Sequence, residues 1–360
     1  MKKITICIFV FFFSLQACKR ENDALYFNGE IVYVATDSVP VTSVKGNPIE
    51  LNDIYTDFMS AYDTLLSFDA YKYNDKWLYV FNLNTYNLGC KLLPKGQGPG
   101  DFLDFSHTEQ YILQDNSIKL WGRDALTGKI ILLNLTQSIR EQKAVIDSTL
   151  FLEWKDKYSM PFGFIFMCNN GYLLVRSPLI RESEEHYTLV DYNLYKPSGE
   201  KIRSYKIYNT FINRNPAIHY EDIIDDSRDR LKPDQTKLAM VMVRLAQINI
   251  VDIETGKIKG FRLKKTPGFT DVVKDPDLFN KFYYVKISVD DSYIYGLYNH
   301  GKNYPYSTNE VHVFDWGGKF VRKILLDINT GNIAFDPVKK QLYSLNLEDQ
   351  LFVYDLSFLY

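Results

Sequence analysis

Apolar positions along this 360-residue chain alternate with polar ones far more often than they recur every third or fourth residue. Past residue 25 the longest stretch with a helical period is 54–66. Elsewhere Val, Ile, Tyr and Phe alternate in short runs cut by Gly, Asn and Asp, the pattern of half-buried strands joined by tight turns. The runs also repeat: an apolar strand ending in Asp or Asn, a turn with Gly, then a second strand. The copies are LYVFNLNTYNLGCKLL (78–93), IKLWGRDALTGKIILLN (118–134), YTLVDYNLYKPSGEKIRSY (187–205), INIVDIETGKIKGFRL (248–263) and VHVFDWGGKFVRKILL (311–326). A sixth, LFVYDLSFLY (351–360), stops where its second strand should begin. Glu254-Thr255-Gly256 and Trp316-Gly317-Gly318 are the clearest turns. In each, an Asp just before the turn caps it through its side chain, and Gly takes the φ > 0 position.

Six copies about 57 residues apart, with little helix between them, predict an all-β fold of radially repeated four-stranded sheets: a six-bladed β-propeller. The truncated last copy needs a partner, because an open sheet edge is a liability. The strand 30–34 has no local partner either. This strand, or the segment 40–51 after it, is therefore expected to supply the outer strand of the final blade and close the ring.

The first 18 residues, MKKITICIFVFFFSLQAC, carry two lysines and an apolar run at 4–13. That run is far shorter than the roughly 20 residues that span a bilayer. Leu15-Gln16-Ala17-Cys18 resembles a bacterial lipobox, which implies cleavage before Cys18 and acylation of its sulfur and new amine. Acyl chains, at about 0.8 kcal/mol per buried CH₂, hold a protein on a membrane without a spanning helix. Residues 19–23 are polar and read either as a solvated linker or as the export tag that surface lipoproteins carry. The expected organisation is a signal peptide at 1–17, a tether at 18–28 and a propeller at 29–360. The expected location is the outer membrane, lipid-anchored, on its periplasmic or cell-surface side.

Of four cysteines, Cys7 would leave with the signal and Cys18 would be lipidated. Cys90 and Cys168 remain, as two buried thiols or as one disulfide. There is no C-x-x-C, which argues against structural zinc. The composition, 46% hydrophobic, 15% aromatic and 24% charged, excludes a disordered chain, and a mean hydropathy of −0.22 excludes a polytopic membrane protein. The net charge is −2 and becomes more acidic once Lys2 and Lys3 are removed. Such a surface offers no basic field to nucleic acid, so none is expected as a partner.

Lys95-Gly96-Gln97-Gly98-Pro99-Gly100-Asp101-Phe102 resembles the KGQGPGEF element of the TolB-like six-bladed propeller lipoproteins of Bacteroidales, with Asp101 where Glu is usual. Residues 231–239, LKPDQTKLA, resemble the SPDGKKLA turn of TolB propellers, with Gln235 in place of Gly. Residues 335–343 form a looser third copy. The resemblance spans essentially the mature chain. It implies a TolB/NHL-like propeller and an envelope address, and it brings no defined biochemical activity.

Within a propeller blade, strands A to D alternate in direction from the channel outward. The B–C and D–A loops therefore share one face, and the A–B and C–D turns share the other. The long segments 177–185 and 299–309 read as B–C loops, and 95–101 and 208–226 as D–A connections. They are expected to form the ligand face, since elaborated loops on a rigid scaffold concentrate binding residues. Its candidate residues are Arg181, His186, Arg214, His219, Tyr220, His300, Lys302, Tyr304 and Tyr306. Tyr- and Arg-bearing loops suit a glycan, a peptide or a partner envelope protein. Alternatively, 208–226 covers the channel as a plug.

Catalytic patterns are missing. The five histidines are scattered, without H-E-x-x-H, and no G-x-S-x-G elbow occurs. His312, between Val311 and Val313, reads as structural. The glycines at 96, 98 and 100 make a turn rather than a phosphate cradle. The acidic run 222–229 lacks the ligand order of an EF-hand. The expectation is a non-enzymatic binding or scaffold propeller without a cofactor. The alternative is a metal-assisted hydrolase or lyase with carboxylates, and a calcium ion, in the channel.

Overall fold

The structure, a computed structural model, describes residues 25–51, 58–72, 75–151, 164–177, 180–181, 187–188, 192–209, 223, 226–303 and 307–360. The chain opens with three short strands: β1 (Glu30–Val34), β2 (Val41–Val44) and β3 (Asn47–Ile49). Six blades follow, the first five of them built from four strands of their own. Blade 1 is β4 (Met59–Tyr62), β5 (Leu65–Asp69), β6 (Lys76–Asn82) and β7 (Asn87–Pro94). Blade 2 is β8 (Phe105–Gln114), β9 (Ser117–Asp124), β10 (Lys129–Asn134) and β11 (Ile146–Phe151). Blade 3 is β12 (Ile165–Met167), β13 (Leu173–Arg176), β16 (Tyr192–Tyr195) and β17 (Lys201–Tyr205), with a small hairpin of β14 (Ile180–Arg181) and β15 (Tyr187–Thr188) between its second and third strands.

Blade 4 is β18 (Ser227–Leu231), β19 (Lys237–Met242), β20 (Gln247–Asp252) and β21 (Ile258–Leu263). Blade 5 is β22 (Phe282–Val289), β23 (Tyr293–Lys302), β24 (Thr308–Asp315) and β25 (Phe320–Thr330). Blade 6 has only three strands of its own, β26 (Asn332–Asp336), β27 (Gln341–Leu345) and β28 (Leu351–Asp355). β3 completes it, antiparallel to β28, with Ile49 opposite Leu351. The ring is thus closed by the later of the two segments considered, while 30–34 does something else. β1 runs parallel along the outer edge of blade 4, and β2 parallel along the outer edge of blade 5. One amino-terminal segment therefore covers the free edges of three consecutive blades, which would otherwise expose unpaired N–H and C=O groups.

Six apolar clusters lie between the blades. One joins Met59, Phe68 and Phe81 of blade 1 to Ala334, Tyr343 and Leu351 of blade 6. The next joins Leu78 and Cys90 to Phe105, Leu120 and Ile131 across blades 1 and 2. The other four join the remaining neighbouring pairs. Each buried Leu, Ile or Phe contributes about 1.5–3 kcal/mol of transfer free energy, so the ring is held mainly by these wedges. Among the described residues, Tyr26 and Phe27 lie inside the stretch read as tether and are already packed. Tyr26 and Phe27 are buried in the cluster between blades 3 and 4, where the Tyr26 ring stacks on Phe269 at 5.9 Å. The Asn28 N–H donates to Ile207 O at 2.9 Å.

The turns follow the expected chemistry. Asp252 Oδ1 accepts from the Thr255 N–H at 2.7 Å, and Gly256 sits at φ +75°. Asp315 Oδ1 accepts from the N–H groups of Gly317 and Lys319, both at 2.9 Å. Lys95–Phe102 is likewise a structural turn. Asp101 Oδ2 accepts from the Gly98 N–H at 2.9 Å. Lys95 donates to Ala70 O and packs over the Trp77 ring, and the Trp77 indole N–H donates to Phe102 O at 2.8 Å. The turn thereby pins blade 1 to blade 2.

Two expectations are corrected. The helical-period stretch 54–66 is strand from Met59 onward, β4 and the start of β5; residues 52–57 lie outside the described ones. Nearly every side chain of β4 and β5 is buried, so both faces are apolar and the two-residue alternation is lost. The repeat copy 118–134 is also one strand out of phase. It forms β9 and β10, the second and third strands of blade 2, whereas 78–93, 187–205, 248–263 and 311–326 end on third and fourth strands. The reason lies in residues 135–145. The helix Leu135–Glu141, capped by Asn134 accepting from the Gln137 N–H at 3.0 Å, intervenes before the fourth strand. The tight turn around Gly128 therefore falls one connection early.

Candidate functional site

The innermost strand of each blade lines the central channel. In most proteins of this size, strands so enclosed would carry apolar side chains. Here several carry ionisable groups: His107-Thr108-Glu109 in β8, Arg228-Asp229-Arg230 in β18 and Lys286 in β22. Where β4, β8, β18, β22 and β26 end, the channel widens into a cavity of about 350 Å³. Polar groups around it include Ser60, Glu109, Gln110, Arg230 and Ser288, and aromatic ones are Tyr62, Tyr111, Trp121 and Phe335. Its rim is made of A–B turns, including Pro233, Asp291 and Pro337.

Much of this lining is fixed by mutual bonds. Tyr62 and Tyr111 stack, with centroids 5.2 Å apart and planes 15° from parallel. The Tyr111 hydroxyl is 2.7 Å from the Ser60 hydroxyl. The Gln110 amide donates to Met167 O and accepts from the Met167 N–H, both at 2.8 Å, tying blade 2 to blade 3. Glu109 stands at φ +59° in a bulge of β8 and aims at blade 4, where Arg230 Nε donates to Oε2 at 2.7 Å and Nη2 pairs with Oε1. Such a forked pair is directional. Its two side chains come from strands 121 residues apart.

Ser60, His107 and Asp69 meet on the channel wall. The Ser60 hydroxyl lies 3.2 Å from His107 Nε2, and Asp69 Oδ1 lies 3.7 Å from the same nitrogen. In a nucleophilic triad the carboxylate holds one ring nitrogen while the serine uses the other. Here both crowd Nε2, while the buried Nδ1 has no hydrogen-bond partner among the described residues. Burial pulls the His107 pKa down to about 4, against the opposing pull of Glu109. The ring is therefore neutral and a weak base, and the set is a structural contact.

Lys286 is two residues before Ser288 on β22 and so faces the channel on the same side, about 7 Å deeper. Its ammonium sits 3.9 Å over the Phe58 ring. Burial first, then Arg228, lowers its pKa to about 7, with Glu109 opposing. Arg228 is itself paired with Asp226 at 3.1 Å.

The loop face expected to bind ligand is described only in part. His186, Arg214, His219, Tyr220, Tyr304 and Tyr306 lie outside the described residues, as does Cys18, and Arg181 is described only as a backbone position in β14. His300 and Lys302 are on β23. His300 Nε2 is 3.3 Å from Glu310 Oε2, and its ring contacts Tyr298 with centroids 4.9 Å apart. Burial lowers its pKa more than Glu310 raises it. His312, on the far side of that carboxylate, is buried with Nε2 2.6 Å from Glu310 Oε1 and Nδ1 3.0 Å from the Tyr284 hydroxyl. Cys90 and Cys168 are both free thiols.

The described cavity thus opens on the face of the A–B turns. Sequence reasoning missed Ser60, His107, Glu109, Arg230 and Lys286, because five blades contribute to the channel and no linear spacing unites them. The available signal was charge at alternate positions of strands that should be apolar. Among the described residues no group of three or more His, Cys, Asp or Glu side chains could hold a metal ion.

Six radial sheets around a polar, aromatic-lined channel define a six-bladed propeller, and comparison with known proteins places it further. The family model described as TolB-like 6-blade propeller-like matches residues 54–337, and the chain belongs to that family. Two solved structures share the fold. A member of the duf4221 family from Bacteroides vulgatus ATCC 8482 has 12% identity and a TM-score of 0.53, covering 86% of this chain and 95% of its own. A protein from Bacteroides fragilis NCTC 9343 described as exported has 12% identity and a TM-score of 0.53, covering 90% and 98%. No curated protein matches the chain.

Proposed function

We propose that this protein is a cell-envelope lipoprotein that acts as a non-enzymatic binding propeller, anchored through Cys18, with its ligand seated in the channel mouth. The carrying observation is the cavity of about 350 Å³ at the ends of the inner strands. It lies toward the low end of ligand-pocket volumes, roughly 300–1,000 Å³, and suits one or two rings. The stacked Tyr62–Tyr111 pair and Trp121 offer flat apolar faces beside the hydrogen-bonding groups of Glu109, Gln110 and Arg230, the combination that recognises a sugar ring. Of the glycan, peptide and protein ligands considered from the sequence, the pocket favours a short glycan. The address rests on the lipobox-like LQAC, and the exported B. fragilis protein of like fold supports it.

Two measurements test this reading. Mass spectrometry of the membrane-extracted protein should find an acylated Cys18, and Cys18→Ala should release the chain from the membrane. Saturation-transfer NMR with a panel of mono- and disaccharides should give signals that Trp121→Ala abolishes. A panel with no signal, or signals indifferent to Trp121, would refute the assignment of the site.

A further inference from the structure

Resting on the reading of Cys18 as a lipid anchor, we infer that the face of the B–C and D–A loops lies on the membrane surface, so that the channel-mouth cavity opens away from the bilayer. The first ground is where the chain enters the fold. Residues 26–28 run beside 207–209, which follow the outer strand of blade 3: the Asn28 N–H donates to Ile207 O and the Asn209 N–H to Tyr26 O, both at 2.9 Å. Tyr26 also stacks on Phe269, in the helix Phe269–Lys274 that follows the outer strand of blade 4. Both neighbours are D–A connections, so the entry point belongs to the face opposite the A–B turns. The second ground is reach. Eight residues lead from Cys18 to Tyr26, and they span at most about 28 Å. The inner strands β8 and β22 are ten and eight residues long, which sets the two faces roughly 26–33 Å apart. With the A–B face on the bilayer, the tether would have to be drawn straight past the whole depth of the ring. With the loop face there, it needs little of its length.

The third ground is an apolar group on the loop face, at the seam of blades 1 and 2. Tyr71 in the B–C connection of blade 1, Leu103 in the D–A connection, Leu126 in the B–C turn of blade 2 and Phe151 at the end of β11 are all exposed. They are tied to one another through the backbone. The buried Asp124 accepts from the Leu103 N–H at 2.7 Å and from the Leu126 N–H at 3.1 Å. Tyr71 is hydrogen-bonded to Ser106 across the seam, and Phe151 sits opposite Lys129, which sits opposite Asp124 in turn. Exposed apolar residues scattered singly need no explanation, whereas a group held together marks a contact surface. Lys129 lies 4.1 Å over the Phe102 ring and Lys95 4.2 Å over the Trp77 ring, cations on apolar stems of the kind that sit at headgroup level. Leu25, exposed beside Tyr26, adds an apolar side chain next to the tether. On the other face, the exposed Leu113 and Val338 stand at the A–B ends of separate blades, 2 and 6. A lipid surface suits the group better than a partner protein, because a tether this short already holds the loop face beside the bilayer, and side chains there need enter it by only about 5–10 Å.

The experiment uses the full-length protein extracted from membranes and reconstituted in phosphatidylethanolamine–phosphatidylglycerol vesicles. Leu103→Cys, Leu126→Cys, Leu113→Cys and Val338→Cys each carry a polarity-sensitive fluorophore, and the unsubstituted protein reports any label taken up by Cys90 and Cys168. Brominated lipids should quench the probes at 103 and 126 at least about twofold and leave those at 113 and 338 unchanged. Quenching at 113 or 338 as strong as at 126 would overturn the inference. Absence of quenching at every position, with Cys18 shown to be acylated by mass spectrometry, would overturn it while leaving the anchored lipoprotein standing. An unmodified Cys18 would overturn both the inference and the reading on which it rests. Shielding of positions 103 and 126 from a polymer-linked maleimide without quenching by lipid would put a second protein on this face and overturn the lipid assignment. Thermal unfolding of each variant at the parent temperature shows that a change in quenching is not a loss of fold.

Discussion

Replacing Glu109 by Ala tests how much the ring depends on contacts made across its centre. Glu109 and Arg230 retain 13% and 12% side-chain exposure, so the pair is largely shielded from water and from salt screening. Ala keeps the Cβ, so the left-handed backbone at this position carries the same strain in both chains. After the change, Arg230 keeps its hydrogen bond to Asp229 O but loses both bonds to a carboxylate. Breaking a buried pair from one side costs about 3–5 kcal/mol, and the residual exposure puts this pair near the lower value. Replacing both partners by apolar residues, Glu109→Leu with Arg230→Met, removes the stranded charge and should cost within about 1 kcal/mol of nothing. The assay is urea unfolding followed by tryptophan fluorescence at pH 7 for the parent, E109A, E109L, R230M and the E109L/R230M double variant, with unchanged m-values as the check on the denatured state. A cost below about 1 kcal/mol for E109A, or single-variant costs that add to within about 0.5 kcal/mol, would refute the view that this pair braces blade 2 against blade 4.

Three further outcomes are expected. Burial holds His107 and His312 at pKa values of about 4 in the folded chain, below the unfolded value of about 6.5. Their stabilising contribution is therefore present above pH 6.5 and lost as pH falls toward 4, by up to about 1.4 kcal/mol per pH unit for each; thermal melts from pH 7 to 4 should show the loss, and His107→Asn with His312→Gln should flatten it. Gln235 occupies the turn at φ +64°, where a residue without a Cβ is unstrained, so Gln235→Gly should raise stability by up to about 1 kcal/mol, read as a higher melting temperature. Burial raises the thiols of Cys90 and Cys168 to about 12, so neither should react with a disulfide reagent at pH 8 until the chain is unfolded in urea.

The blades were legible because their turns are written locally. Asp252 with Gly256 and Asp315 with Gly318 set a hairpin by neighbours a few residues apart, and the same local chemistry assigned 95–101 to the connection between blades 1 and 2. Local signals fail where a long-range partner decides. Nothing in EIVYV says that it pairs with 259–263 rather than with the last blade; any exposed parallel edge of similar length satisfies the same alternation. The phase error in blade 2 has a related cause, since Gly128 marks a turn without saying which pair of strands it joins. The channel was illegible for a stronger reason. Glu109 and Arg230 meet only across the centre of the ring, and each taken alone reads as an ordinary charged residue. The aromatic loops singled out from the sequence fall largely outside the described residues, whereas the cavity is rimmed by A–B turns.

The amino-terminal segment that skirts blades 4 to 6 has a consequence for biogenesis. Residues 30–49 leave the ribosome before the strands at 258–263, 320–330 and 351–355 that they pair with. Each early strand stays without its mate until the matching late strand has been made, and β3 waits the longest. Pairings of such sequence separation form slowly and leave adhesive intermediates. This architecture therefore leaves the last blade one strand short until the newest residues of the polypeptide meet some of its oldest.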